Sequence, residues 1–249
     1  MRTRIVTALL AAVASLVALL VAGPAAQADT QLCEPYATTT IQGQYVVQNN
    51  RWGTSATQCI TVTDSGFRIT QADGNASTSG PPNSYPSIFT GCHYTVCSPG
   101  TSLPRQISSI GSAPSSISFS YVDNAVYDAA YDIWLDPQPK QDGVNQTEIM
   151  IWLNRVGPIQ PIGSPTGYVN LAGQSWEVWT GSNGSNNVIS FVAPSALSGI
   201  GFDVLDFVRE TINRGMADYS WYLTSIQAGF EPWQGGVGLA VNSFSASVN

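Results

Sequence analysis

The sequence runs to 249 residues with a formal charge of −7, and only 10% of its residues are charged. Lys140 is its only lysine, which argues against nucleic acid as a partner, because phosphate backbones demand clustered Lys and Arg. His93 is the only histidine, which argues against a Ser-His-Asp triad or a His-rich zinc centre, and past the N-terminus no stretch approaches the ~20 apolar residues that span a bilayer.

The chain opens on a basic tetrad, Met1–Arg4, followed by an apolar run from Ile5 to Ala22. Gly23-Pro24 breaks that run, and Ala26-Gln27-Ala28 supplies a small-x-small cleavage site. These are the parts of a secretory signal peptide, so residues 1–28 are expected to be removed and the product exported as a monomer that makes no membrane contact after processing. Residues 29–249 then form a single domain, because no Pro/Thr/Ser-rich linker, repeat or long charge run divides them. Without Arg2 and Arg4, seven basic face 16 acidic side chains, a formal −9. Low charge with many Asn, Gln, Ser, Thr, Trp and Tyr suits an extracellular protein that handles neutral polar ligands.

Export also decides how the four cysteines are read, since an oxidising compartment favours disulfides over thiols. Three pairings are formally open. The short Cys92–Cys97 spacing favours a bond between those two, leaving Cys33 with Cys59; a metal site using His93 is the rival.

Strand-like alternation dominates the chain. Predicted strands cover 43–50, 58–62, 66–71, 116–122, 126–135, 148–154, 175–179, 188–192, 219–227 and 237–247. Turn clusters such as Asp73-Gly74-Asn75 and Asp142-Gly143 separate them. Many short strands of this kind point to an all-β sandwich or barrel. Residues 201–214 are the exception: Phe202, Leu205, Arg209 and Ile212 recur at helical spacing. Asp203 and Asp206 occupy the early turns, where the helix dipole favours negative charge, and Gly215 supplies a stop. One helix is predicted there, packed on the outside of a sheet.

Alternate residues of a strand share a face. In 148–154, Ile149, Ile151 and Leu153 form one face, and Glu148, Met150, Trp152 and Asn154 form the other. A carboxylate, a thioether, an indole and an amide make a poor core but a good wall for a sugar, whose C–H face packs on an indole while polar tips bind its hydroxyls. Asp132 with Trp134, Gln48 with Asn50 and Trp52, and Ser225 with Gln227, Glu231 and Trp233 repeat that character. A curved sheet carrying these faces makes a cleft.

Residues 29–249 hold five glutamates, Glu34, Glu148, Glu177, Glu210 and Glu231. Glu148 and Glu231 lie among aromatic neighbours on predicted strands, and two carboxyls across a sugar cleft are the machinery of glycoside hydrolysis. Apolar surroundings raise a carboxyl pKa, so Glu231, between Phe230 and Pro232 with Trp233 beyond, is read as the acid. Glu148 is read as the nucleophile, with Asp132 orienting it by a hydrogen bond. A non-catalytic sugar-binding module of the same shape is the competing reading.

The segments NNRWG (49–53), YDIWLDP (131–137), EIMIWLN (148–154), GPIQPIG (157–163), SFVAPS (190–195) and GFEPW (229–233) stand in an order and spacing that resemble glycoside hydrolase family 12. The similarity spans residues 29–249 and is greatest to its secreted streptomycete endo-β-1,4-glucanases. The resemblance implies a β-jelly roll of two curved antiparallel sheets with a concave cleft and one helix on the convex side. It implies cleavage of internal β-1,4-glucosidic bonds with retention, Glu148 as nucleophile and Glu231 as acid/base, on carboxyl groups about 5–5.5 Å apart. It assigns Asp132 to holding the nucleophile and Trp52 to stacking on the sugar, and places Met150 and Trp152 near the cleavage point. It also places His93 and Tyr94 on a cysteine loop bordering the cleft. The implied chemistry calls for no metal or organic cofactor, and the implied partner is a β-glucan, with xyloglucan or xylan as alternatives.

Overall fold

The computed structural model describes residues 29–249, so the expected signal peptide lies outside the described residues. In chain order the strands are β1 (Thr30–Leu32), β2 (Thr38–Ile41), β3 (Tyr45–Gln48), β4 (Gln58–Val62), β5 (Phe67–Ala72), β6 (Ser87–His93), β7 (Val96–Cys97), β8 (Arg105–Gln106) and β9 (Pro114–Ser120). There follow β10 (Val126–Asp136), β11 (Thr147–Val156), β12 (Ser164–Leu171), β13 (Gln174–Ser182), β14 (Asn187–Val192) and β15 (Gly199–Asp203), then helix α1 (Val204–Asn213), β16 (Tyr222–Gln234) and β17 (Ala240–Ala246).

The strands make two sheets. One has six strands in the order β1-β4-β5-β17-β9-β15. The other runs β12-β13-β14-β11-β10-β16-β6-β3-β2, with β7 and β8 pairing at its side. Neighbours are antiparallel except β11 and β14, which run parallel because the β12–β13 hairpin is inserted between them in sequence.

Alternation decides which side of the large sheet meets the small one. Tyr131, Ile133 and Leu135 of β10, Ile149, Ile151 and Leu153 of β11, and Ile226, Ala228 and Phe230 of β16 all enter the core between the sheets. Phe230 packs edge-on against Phe119 at 4.9 Å and Phe67 at 6.3 Å, both from the small sheet. Fully burying a side chain of this size stabilises by roughly 1.5–3 kcal/mol, which holds these strands in register. The opposite, concave face keeps the mixed polar and aromatic residues.

Helix α1 starts at Val204, three residues later than predicted. Residues 199–203 pair with β9 as the edge strand of the small sheet instead. Asp203 is then the N-cap, its Oδ1 accepting from Leu205 N at 2.9 Å and from Ala113 N at 3.0 Å, so one carboxylate ends the strand and starts the helix. Phe207 lays the helix on the core side of the large sheet, against Trp176 of β13 and Phe191 of β14, where the small sheet does not reach. The structure joins Cys33 to Cys59 and Cys92 to Cys97.

Candidate active site

Three adjacent strands of the large sheet, β16, β10 and β11, build the floor of the concave face. Residues Ser225, Gln227, Glu231 and Trp233 on β16, Asp128, Ala130, Asp132 and Trp134 on β10, and Glu148, Met150 and Trp152 on β11 share it. Register fixes their order: Glu148 stands opposite Trp134, Met150 opposite Asp132, and Glu231 opposite Asp128. Gly229 has no side chain on this face because a Cβ there would stand 2.1 Å from the Pro86 carbonyl oxygen.

Four carboxyls converge on one phenol. Tyr85, in the segment before β6, is 5% exposed and donates its hydroxyl to the Ala130 carbonyl at 3.1 Å, midway between Asp128 and Asp132. Burial pushes its pKa well up, and the charges of Asp132, Glu231, Asp128 and Glu148 push it further. Tyr85 thus stays neutral and marks the point where the fields of all four acids meet. Its hydroxyl also lies within hydrogen-bonding reach of Asp132, a contact that favours the Asp132 carboxylate and works against the effect of burial there.

Burial lifts both glutamates. Glu148 is raised to about 8, with the negative charge of Glu231 adding to the effect, and Glu231 to about 7. Two carboxyls in each other's field resist ionising together, so one proton stays on the pair at neutral pH. A hydrogen bond acts on each member of the pair and offsets part of the effect of burial. Asn186 Nδ2 donates to Glu148 Oε2 at 3.2 Å, which favours the carboxylate there. Glu231 meets the carboxyl of Asp128, a contact that lowers Glu231 and raises Asp128.

Asp132 is buried beside this pair, and its pKa is raised by burial, then by Glu148 and Glu231. The structure shows no hydrogen bond between Asp132 and Glu148; the charge of Glu148 acts on Asp132 by favouring its neutral form. Phe230, expected to crowd Glu231, points into the core, because adjacent strand residues face opposite ways. The ring that shares the concave face with Glu231 is Trp233. Asn83 Nδ2 donates to its carbonyl at 2.7 Å, and its indole Nε1 donates to the Gly80 carbonyl at 2.8 Å.

Asn154 does not join the cleft. A bulge at Leu153 leaves Trp152 opposite Ala130 and Asn154 opposite Ala129, so the alternation slips by one residue. Asn154 Nδ2 instead approaches the core tyrosine Tyr127 at 3.4 Å, and Arg155 takes the place opposite Asp128. Met150, Trp152 and Trp233 remain together in an apolar cluster on the concave face, with Trp179 packed at its edge. Glu177 faces the same side and accepts from Trp179 Nε1 at 3.0 Å.

The rims carry the other sugar-facing candidates. Strand β3 stops at Gln48, and Asn50 takes a left-handed φ of 42°, so Asn50 and Trp52 belong to a loop rather than to the predicted strand face. Trp52 is 45% exposed there, and Gly53 N bonds the Asn83 carbonyl at 2.8 Å, which ties the loop to the Glu231 end of β16. Gln48 Nε2 donates to Gln227 Oε1 at 3.2 Å, and Gln227 Nε2 reaches His93 Nδ1 at 3.1 Å. Burial lowers His93 to about 4, so it stays a neutral acceptor of the Gln227 amide above that pH. Beside it Tyr94, 53% exposed, tops the Cys92–Cys97 loop, and Thr95 N binds the Gln141 carbonyl at 3.0 Å, joining that loop to the one after β10. Asp128, Tyr85 and Asn186 are the residues of this site that sequence reasoning passed over.

Known proteins are similar to this chain in sequence and fold. A solved structure described as an endo-1,4-beta-glucanase CelB2, a cellulase, superposes with a TM-score of 0.88 at 69% identity, covering 89% of this chain and 100% of that one. A "Probable cellulase Cel12b" of Mycobacterium tuberculosis is 53% identical over 150 residues, 60% of this chain and 99% of its own length. A "Probable xyloglucan-specific endo-beta-1,4-glucanase A" of Aspergillus fumigatus is 34% identical over 242 residues, covering 93% of this chain and 97% of its own. Residues 43–249 match the model of glycosyl hydrolase family 12, and the chain belongs to that family.

Proposed function

We propose that the protein is an exported endo-β-1,4-glucanase, mature from about Asp29, that cuts β-glucans with retention of configuration. The observation that carries this reading is the pair of unlike carboxyls on the concave face. Glu148 is held by an amide donor, and Glu231 is set against a second carboxyl that keeps a proton beside it. The mixture of Trp52, Trp134, Trp152 and Trp233 with Gln48, Gln227 and His93 suits a chain of neutral sugars rather than a charged ligand.

In the first step Glu148 attacks the anomeric carbon and forms a C–O bond to it. The glycosidic C–O bond breaks, and its oxygen leaves with the proton of Glu231. In the second step Glu231, now a carboxylate, takes a proton from water. The water oxygen bonds the anomeric carbon, and Glu148 leaves as the carboxylate. Asp132, neutral beside Glu148, spares the nucleophile a third negative charge while the ester forms and breaks.

Substrate choice is tested by initial rates of new reducing ends on barley β-glucan, carboxymethylcellulose, xyloglucan and xylan. The expected order has barley β-glucan first, with viscosity falling early as internal bonds are cut. A rate on xyloglucan or xylan exceeding that on β-glucan contradicts the assignment of substrate, and binding without release of ends contradicts the assignment of an enzyme.

A further inference from the structure

Asp128 is a fully buried acid set directly opposite Glu231. It is 0% exposed, neither carboxyl oxygen makes a well-formed hydrogen bond, and the one N–H near it is the backbone amide of Glu231. The groups facing it are few. From β16 comes Glu231, directly opposite; from β11 come Arg155, opposite on the other side, and Glu148 further along; from β10 itself, Asp132; and from the segment before β6, Tyr85. Arg155 is the one cation among them. It turns a guanidinium N–H to the Ile159 carbonyl at 3.4 Å, and among the described residues it forms no ion pair. The Tyr85 hydroxyl is spent on Ala130. A carboxylate at this position would therefore be a buried charge with no counter-ion and at most one backbone amide beside it, which proteins avoid by keeping the proton.

On the reading that Glu231 is the acid/base, we infer that Asp128 is a positioning residue that works as a neutral carboxyl, its O–H donated to Glu231. Glu231 starts as an acid and, once its proton has passed to the leaving oxygen, becomes a carboxylate in the same buried place. A protonated Asp128 stabilises that new charge through its hydrogen bond. An ionised Asp128 would repel it and would also hold the Glu231 proton back. The competent form of the pair is thus the one with both protons, and activity is lost on the alkaline side when the pair gives up its first. Burial and the contact with Glu231 both raise Asp128, in the direction this requires.

The test is the pH dependence of kcat/KM on barley β-glucan for Asp128→Asn and Asp128→Leu. Asparagine keeps an N–H donor at every pH and has no proton to lose, so the alkaline limb is expected to move to higher pH by about one unit or more. Leucine removes the donor, and kcat is expected to fall about 10–100-fold at every pH with KM little changed, as suits loss of a hydrogen bond to a charged group. An alkaline limb that stays in place or moves to lower pH in Asp128→Asn overturns the inference, as does an unchanged kcat in Asp128→Leu. Infrared difference spectra between wild type and Asp128→Asn keep the inference testable should the leucine variant fail to fold. A neutral carboxyl band is expected in the wild type at about pH 6, where an ordinary aspartate is ionised, and its absence overturns the proposal. Glu231→Gln separates the two failures: if it keeps wild-type rates on β-glucan, the acid/base reading itself falls, whereas a dead Glu231→Gln with an unmoved Asp128→Asn profile sinks only the role of Asp128.

Discussion

Glu148→Gln is expected to lower kcat on barley β-glucan by a factor on the order of 10⁴ or more, with substrate still bound. The carboxylate supplies the electron pair that bonds the anomeric carbon, and an amide oxygen is far too weak a nucleophile to replace it. Size and the contact with Asn186 are nearly preserved, so the loss reports chemistry and not packing. The smaller Glu148→Ala leaves room for an external nucleophile. Sodium azide is expected to restore turnover of an aryl β-cellobioside and to yield an α-glycosyl azide, since the anion enters from the side where Glu148 stood. Initial rates and the anomeric configuration of the azide adduct check this. A Glu148→Gln variant within tenfold of wild type would place the nucleophile elsewhere.

Glu231→Gln is expected to behave differently on two substrates. On β-glucan, whose leaving oxygen needs a proton, kcat/KM should fall by about 10²–10⁴, the usual worth of general acid catalysis. On a dinitrophenyl β-cellobioside, whose leaving group departs without a proton, bond cleavage should survive, and the slow step becomes attack by water. The alkaline limb of the pH profile on the activated substrate should vanish with the acid that produces it. Burial keeps Glu231 protonated to about 7, so in the wild type the proton is present below that pH and is lost as pH rises through it. Equal losses on both substrates would remove Glu231 from the role of acid.

Most of the floor of the site was legible from period-two alternation. Glu148, Met150 and Trp152, then Asp132 and Trp134, then Gln227, Glu231 and Trp233, each sit on the concave face to which counting by twos assigns them. Counting failed where the ladder slips. The bulge at Leu153 moved Asn154 off that face, and nothing local in EIMIWLN announces an extra residue. It failed also where neighbours in sequence were taken for neighbours in space: Phe230 touches Phe67 and Phe119, not Glu231. Asp128 shares the alternation of Asp132 and Trp134, so its face was readable. Its partner was not, because a pairing across 103 positions of chain is set by register. Tyr85 and Asn186 come from loops without periodicity, and only the fold brings them to the acids. Strands β6 and β12 escaped notice because Gly91, Pro165 and Gly167 look like turn signals, yet β6 is central and β12 is an exposed edge that tolerates a proline.

The account stands on a covalent intermediate at Glu148, and the anomer first released reads it most directly. Proton NMR of a soluble cello-oligosaccharide, recorded within seconds to minutes of adding enzyme and ahead of mutarotation, is expected to show the β-anomer of the new reducing end. The α-anomer appearing first would mean a single displacement by water, with Glu148 as a base and no glycosyl-enzyme, and would contradict the account.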